Sequence, residues 1–213
     1  MGPKEGTVNL TQETVKVRDR ELVLFKPRDL DFYLEEGQGL ADFPFWAKVW
    51  EASLVLADFV ATLKPPKRIL EIGAGLGLPG LAAAAFGHQV TLTDYESRPL
   101  ELIRRSAEAN GLKVRVARLD WFEPADLGEF EIILGAEVVY AGRLFEPLLQ
   151  IFRRYLLPGG EIYLAHSRER ARVLVPFLKR AEVEFEVAHS LRRLRSGDEV
   201  YEIVLNRLRP KGF

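Results

Sequence analysis

Ten consecutive residues constrain this chain more than any other stretch: Arg68-Ile69-Leu70-Glu71-Ile72-Gly73-Ala74-Gly75-Leu76-Gly77. The apolar, β-branched run reads as a buried strand. It ends in an acid, Glu71, and in glycines at alternate positions, and the apolar run Leu78 to Phe86 behind them reads as a helix. Glycine lets backbone approach a ligand where any Cβ would collide, and the start of the helix aims unpaired N–H groups at the same spot. The segment predicts a strand, a tight turn and a helix that together hold a nucleotide-like cofactor.

Two cofactor classes use such a turn. Read from Gly75, the stretch Gly75-Leu76-Gly77-Leu78-Pro79-Gly80 fits the dinucleotide pattern G-x-G-x-x-G, with Asp94 near the distance expected of a ribose-binding acid. Read from Glu71, the same residues give E-x-G-x-G-x-G, which resembles motif I of the class I, seven-strand S-adenosylmethionine (SAM) methyltransferases. The rest of the chain favours the second pattern. Gln89 to Thr93 predicts a strand ending at Asp94, Lys113 to Leu119 one ending at Asp120-Trp121, and Glu131 to Ala136 one ending at Glu137. In an open parallel sheet the ligand lies outside the carboxyl ends of the strands, so these acids are expected to line one crevice.

The resemblance implies that Gly73, Ala74, Gly75 and Gly77 contact the methionine part of SAM and that Glu71 helps to bind its amino group. It implies Asp94 on the ribose hydroxyls with Tyr95 beside it, Asp120 on the adenine amino group and Trp121 packed on the ring. Trp50 and Glu137 complete the implied cofactor site.

Around this centre the chain alternates strand and helix, as a parallel sheet requires. Thr14 to Val17 and Glu21 to Phe25 flank Arg18-Asp19-Arg20 and predict a small hairpin, read as a cap or lid. Phe43-Pro44-Phe45-Trp46-Ala47-Lys48-Val49-Trp50 is expected to open a helix that runs to about Leu63 and stops at Pro65-Pro66. A helix from Ser97 and Pro99 to Asn110-Gly111 carries its own start and stop signals. Leu144 to Leu156 predicts another, Pro158-Gly159-Gly160 a turn, Glu161 to Ala165 a strand and Arg168 to Arg180 a further helix. Val183 to Ser190 and Glu199 to Asn206 flank the turn-forming run Arg195-Ser196-Gly197-Asp198, so the chain ends in a hairpin and not in a second dinucleotide half.

The expected fold is α/β, a Rossmann-like seven-stranded, mostly parallel sheet with an antiparallel last strand and helices on both faces. Residues 1–45 are read as a hairpin and short-helix extension without independence as a domain, and residues 46–213 as the methyltransferase domain.

The acceptor side turns on Ile132-Ile133-Leu134-Gly135-Ala136-Glu137-Val138-Val139-Tyr140. The Asn/Asp-Pro-Pro-Tyr/Phe motif of enzymes that methylate planar amide or exocyclic amino nitrogens is missing. Glu137-Val138-Val139-Tyr140 instead resembles the D/E-x-x-Y/F motif of the seven-strand protein-lysine methyltransferases, and the Trp46–Trp50, Leu119–Trp121 and Leu134–Ala136 segments agree with it. The nearest branch by these motifs is the bacterial relatives of the enzymes that methylate electron-transfer flavoprotein. One departure is Glu51, where several relatives have proline. The resemblance implies a lysine-bearing protein as acceptor, with Glu137 and Tyr140 as catalytic residues. A lysine must react as a neutral amine, and its reference pKa is about 10.4. A nearby carboxylate raises that value, so Glu137 is cast as the group that captures and orients the ammonium, and Tyr140 as a hydroxyl or an aromatic wall beside it.

Composition narrows the rest. The chain has 213 residues and no cysteine, which removes disulfides and thiolate metal sites, and its three histidines, His88, His166 and His189, are too scattered to suggest a metal centre. His166 is read as a surface imidazole, with a role at the acceptor pocket left open. The net charge of −1 argues against a large nucleic-acid surface. No apolar run approaches a bilayer span, and Met1 to Thr11 lack the apolar core of a signal peptide, so a soluble, cytoplasmic protein is expected. Charge is unevenly spread: residues 1–150 hold 17 Lys+Arg and 23 Asp+Glu, residues 151–213 hold 13 and 8. Three rivals stay open: a small-molecule N-methyltransferase, a SAM-binding protein without catalysis, and, more distantly, a dinucleotide oxidoreductase.

Overall fold

The computed structural model describes residues 9–28, 44–196 and 198–212. A hairpin of β1 (Leu10–Val17) and β2 (Arg20–Pro27) precedes a single 3-10 turn at Phe45–Ala47. Then come α1 (Glu51–Val60), β3 (Arg68–Glu71), α2 (Leu78–Ala85), β4 (Gln89–Asp94), α3 (Ser97–Ala109), β5 (Arg115–Arg118) and β6 (Phe130–Ala136). The chain closes with α4 (Phe145–Tyr155), β7 (Leu156–Ser167), α5 (Ala171–Ala181), β8 (Phe185–Ser196) and β9 (Glu199–Pro210).

Strands buried on both faces explain the near-continuous apolar runs of the sequence. Ile69, Ile132 and Leu134 point into one core with α1, α2, α3 and the hairpin, whereas Leu70, Ile133, Ile162 and Leu164 point into the other with α4 and α5. The second core is built on aromatics, Phe152 packing edge-on against both Phe177 and Phe185. Sheet order is β5-β4-β3-β6-β7-β9-β8, with β3 to β7 parallel and β9 antiparallel to both β7 and β8. This is the seven-stranded sheet read from the sequence. The chain enters at β3, builds outward through β4 and β5, and returns to β6, so the strand order reverses between β3 and β6. A crevice at such a switch point is where α/β sheets bind ligands.

Several boundaries differ from the sequence reading for identifiable reasons. Helix α1 begins at Glu51, because Trp50 is still extended at φ −84° and ψ 149°. An acid in the first helical turn complements the helix dipole, so glutamate serves here where proline, also suited to a helix start, serves others. Strand β7 begins before the Pro158-Gly159-Gly160 turn: Leu156 pairs with Phe130, the register then shifts, and Glu161 pairs with Ile132. Strand β5 is shorter than expected and β8 longer.

The hairpin is not a lid. Ser106 and Asn110, near the end of α3, accept the backbone N–H groups of Phe25 and Val23 at 2.9 Å each, and Asn110 Nδ2 donates back to Val23 O at 2.7 Å. Because α3 starts beside the carboxyl end of β4 and runs away from it, these ties hold the hairpin at the opposite end from the crevice. Val15, Val17, Leu22 and Leu24 bury themselves in the first core, so the hairpin braces that layer. The rest of the expected extension, residues 29–43, and Gly197 of the last turn lie outside the described residues. Among the described residues no helix is long and apolar enough to cross a membrane.

Candidate active site

Three glycines of the first turn take left-handed backbone: Gly73 at φ +56°, Gly75 at +54° and Gly77 at +75°. Their surroundings explain the lack of side chains. A Cβ on Gly73 would lie 3.1 Å from Val138 Cγ1 and 3.2 Å from Trp121 Cζ2, and one on Gly77 would lie 2.8 Å from Leu92 Cδ2. Gly75 faces the backbone of Trp46, whose O would be 3.2 Å from such a Cβ. The turn is thus pressed between the Trp46 segment, Trp121 and Val138.

Two carboxylates fasten it. Asp94 Oδ2 accepts the Gly75 N–H at 2.9 Å, and its Oδ1 accepts that of Glu96 at 3.1 Å. Glu71 is 1% exposed, and its Oε2 accepts the N–H of Gly80 at 2.8 Å, within the first turn of α2. Burial pushes the Glu71 carboxyl up to about 8, opposed by the Gly80 hydrogen bond and reinforced by nearby Asp94. Burial also raises Asp94, against the hydrogen bonds it accepts. Gly80 has no room for more: a Cβ there would sit 2.5 Å from Glu71 Oε2. Glu71 is therefore turned beneath the turn toward α2, while Asp94 is half-buried at the crevice.

The segment after β6 is the second half of the site. Glu137 is one of two described non-glycine residues at positive φ, +55°. Its N–H donates to Ala165 O at 2.9 Å. Its Oε1 accepts the Ser167 N–H at 2.6 Å, while Oε2 is buried, has no hydrogen-bond partner among the described residues and stands 3.7 Å from Arg170 Nε. Burial raises the Glu137 pKa, opposed by Ser167 and Arg170 and helped by Glu51 and Glu169. Val138 joins the two halves, since it touches the space over Gly73 and also leaves only 2.8 Å for a Cβ on Gly135. Tyr140 stands 51% exposed at the end of the segment.

The donor set suits SAM, whose sulfonium and ammonium are cationic and whose adenosine is flat and hydroxylated. Left-handed glycine backbone, acids at the ends of β4, β5 and β6, and an aromatic ring against Gly73 lie along the carboxyl edge of the sheet. Asp120 follows β5, its Oδ1 accepting the Phe122 N–H at 2.9 Å, and Trp121 and Tyr95 occupy the same edge. Ala74 donates its N–H to Thr93 O at 2.8 Å and so ties the turn to β4.

Trp50 behaves differently from Trp46. Its Nε1 donates back to Phe45 O at 2.7 Å and its ring carries Lys48 Nζ at 4.8 Å from the centroid. Trp46 backs Gly75 and hydrogen-bonds Glu96. The sequence reading placed Trp50 in the cofactor site, whereas it is Trp46 that packs against the glycine turn. His166 corrects a plainer expectation: it is fully buried, and its Nε2 accepts the Val139 N–H at 3.0 Å. A polar pair, His166-Ser167, at the carboxyl end of a parallel strand was the available signal. Gly80 stood in the sequence as the last glycine of the G-x-G-x-x-G pattern, the one that permits close helix–strand packing, and Val138 carried no signal. Among the described residues no group of three or more His, Asp or Glu side chains is placed to hold a metal.

A family profile described as "Lysine methyltransferase" matches residues 26–184. The chain is 34% identical to the protein N-lysine methyltransferase METTL21A of Danio rerio, over 76% of this chain and 78% of that one. It is 38% identical to the EEF1A lysine methyltransferase 3 of Mus musculus over 59% and 56%, and 39% identical to the histone-arginine methyltransferase METTL23 of Xenopus laevis over 56% of each. Among solved structures, a methyltransferase of Pyrococcus furiosus shares the fold with a TM-score of 0.59 at 21% identity, over 82% of this chain and 86% of that one. A TehB-like SAM-dependent methyltransferase of Corynebacterium glutamicum shares it at 0.60 and 22%, over 77% and 89%. By fold, by motif and by kinship, this chain is a SAM-dependent methyltransferase and belongs to the lysine methyltransferase family.

Proposed function

We propose that the chain transfers a methyl group from SAM to the side-chain nitrogen of a lysine in a protein. The observation that supports this best is the Glu137 carboxylate. One oxygen is fixed by Ser167, the other is buried with no hydrogen-bond partner among the described residues, and Val138 sets the segment against the glycine turn. A desolvated carboxylate oxygen beside a cofactor turn, with only the Arg170 guanidinium pairing with it among the described residues, at 3.7 Å, is suited to receive an ammonium.

In this reading Gly73, Ala74, Gly75 and Gly77 cradle the methionine part, Asp94 takes the ribose, and Asp120, Trp121 and Tyr95 take the adenine end. Glu71 acts through α2 and the turn. Trp46 supports the turn from outside, and Trp50 is kept as a neighbour of the cofactor site. When bound, SAM supplies an electrophilic methyl on its sulfonium. Glu137 captures and orients the incoming ammonium, and Tyr140 offers its ring and hydroxyl at the mouth. Positioning of this kind, with water kept out, accounts for most of what such a site must do. The reading also takes residues 46–213 as the catalytic unit with residues 1–45 attached, and a cysteine-free protein of the cytoplasm.

A second reading is methylation of arginine, favoured by the 39% identity to a histone-arginine methyltransferase. A guanidinium stays charged at any working pH, so Glu137 would then hold a fork of N–H donors. Transfer from methyl-labelled SAM into a cell extract tests both readings. The extract is separated into protein, nucleic-acid and small-molecule fractions, and Glu137→Ala is run in parallel. Protein label recovered as methyl-lysine and lost in the variant is the expected result. Methyl-arginine would select the second reading, and label only among small molecules would overturn both.

A further inference from the structure

We propose that His166 is a positioning residue for methyl transfer, holding the Glu137–Tyr140 segment in its working shape through the Val139 N–H. The inference rests on the acceptor-side reading of Glu137.

Left-handed backbone is strained for a non-glycine residue, and such strain persists only where the surroundings over-determine it. Around Glu137 they do. Three consecutive residues at the end of β7 each make one tie to the segment: Ala165 O to the Glu137 N–H, His166 Nε2 to the Val139 N–H, and the Ser167 N–H to Glu137 Oε1. The first and third flank the strained residue and its carboxylate. The second alone fixes the backbone beyond it, between Val138 and Tyr140. Without it, the Val139 N–H is a buried donor with no partner, and the segment gains a reason to swing out of the left-handed form.

The imidazole is an unusual choice for this task. To accept at Nε2 the ring must be neutral with its proton on Nδ1, and Nδ1 has no hydrogen-bond partner among the described residues. Burial, with Arg170 nearby, lowers the ring's pKa to about 3, so it stays neutral and stays an acceptor at any working pH. A buried, unpaired N–H is destabilising. An apolar side chain of similar volume would avoid that cost and fill the core equally well. What it cannot do is accept the Val139 N–H.

Two variants and two readouts test this. His166→Leu keeps an apolar side chain in the core and removes the acceptor, whereas His166→Gln restores an acceptor oxygen near the Nε2 position. Amide hydrogen exchange reads the tie without any acceptor substrate. The Val139 amide is expected to lose protection in His166→Leu and regain it in His166→Gln, while Leu164 and Ala165 stay protected in both. Methyl-label transfer into extract protein reads the consequence. In His166→Leu, kcat should fall at least about tenfold, with S-adenosylhomocysteine affinity within about threefold of the parent, and His166→Gln should recover most of the rate. A folded His166→Leu with an exchanging Val139 amide and full kcat would overturn the positioning role. Unchanged Val139 protection would overturn the tie itself. If the parent chain labels no lysine, the acceptor reading fails, and the proposed effect on lysine transfer fails with it, while the amide readout still decides whether His166 holds the segment.

Discussion

The two sides of the crevice are fastened by contacts of different reach. On the cofactor side, Glu71 and Gly80 are nine residues apart and Gly75 and Asp94 nineteen, so each tie closes within one or two neighbouring elements. On the acceptor side, Val139 and His166 are 27 apart and Glu137 and Ser167 are 30 apart, with all of α4 between them. The first side takes its hydrogen bonds from one strand, its turn and their immediate neighbours, while Trp46, Trp121 and Val138 pack on its glycines from farther along the chain. The second exists only once β6 and β7 are paired. Cofactor binding can thus be specified by a short stretch of sequence, while the shape presented to the acceptor depends on the finished sheet.

Substitutions on each side should separate along this line. Gly77→Ala is the most damaging, since it adds left-handed strain of about 1–2 kcal/mol to overpacking of about 1–3 kcal/mol against Leu92 and Ile103. Denaturant titration should show a loss in that combined range, and calorimetry should show S-adenosylhomocysteine binding gone. Intact binding would mean that the turn is less rigid than its contacts imply. Glu137→Gln keeps an oxygen for the Ser167 N–H and removes only the charge. Methyl transfer should fall by about 100-fold while cofactor affinity changes little. An equal loss in both would move Glu137 to the cofactor side.

Glu71 gives a test by pH. Its carboxyl is raised from 4.5 to about 8 in the folded chain, so between those values the folded state keeps a proton that the unfolded state has released. This contribution to stability is full below pH 4.5 and is lost as pH rises through 8, with a slope of at most about 1.4 kcal/mol per pH unit. Melting temperatures of the parent and of Glu71→Gln, measured from pH 5 to pH 9, should differ by that slope. Parallel curves would show that Glu71 is ionised throughout.

Smaller effects come from the edges. Tyr140→Ala should cost about 0.5–2 kcal/mol of acceptor binding if its ring faces a cation, and Tyr140→Phe much less. KM measured with a labelled protein acceptor reads both. Ser106→Ala should lower stability by about 1 kcal/mol through the lost Phe25 tie and leave methyl transfer unchanged, as a brace remote from the crevice requires. A drop in turnover would return the hairpin to the role of a lid.

The same difference in reach governs what could be read from the sequence. The alternation of strand and helix, the glycine turn and the acids after β4, β5 and β6 were legible because each is a short local pattern. The His166 tie, the Val138 wedge and the direction of the Glu71 side chain were not, because each depends on which residues a distant strand brings alongside. The start of α1 was missed for a subtler reason. The apolar positions before Trp50 follow a helical spacing, but the 3-10 turn at Phe45–Ala47 and the extended Trp50 break the helix there.

The outermost strand has a consequence of another kind. Strand β8 is twelve residues long and among the described residues pairs only with β9, so its far side offers a row of backbone groups on which a second chain could lay a strand. Arg192, Arg193 and Arg195 stand exposed along it. Their mutual repulsion with the same residues of another copy keeps two such edges apart, and salt screens that repulsion over about 8–10 Å at ordinary ionic strength. Three guanidinium groups, of which Arg193 also pairs with Glu202 at 3.2 Å, thus bear on how closely two such edges approach, and concentrated salt is the condition under which they are freest to meet.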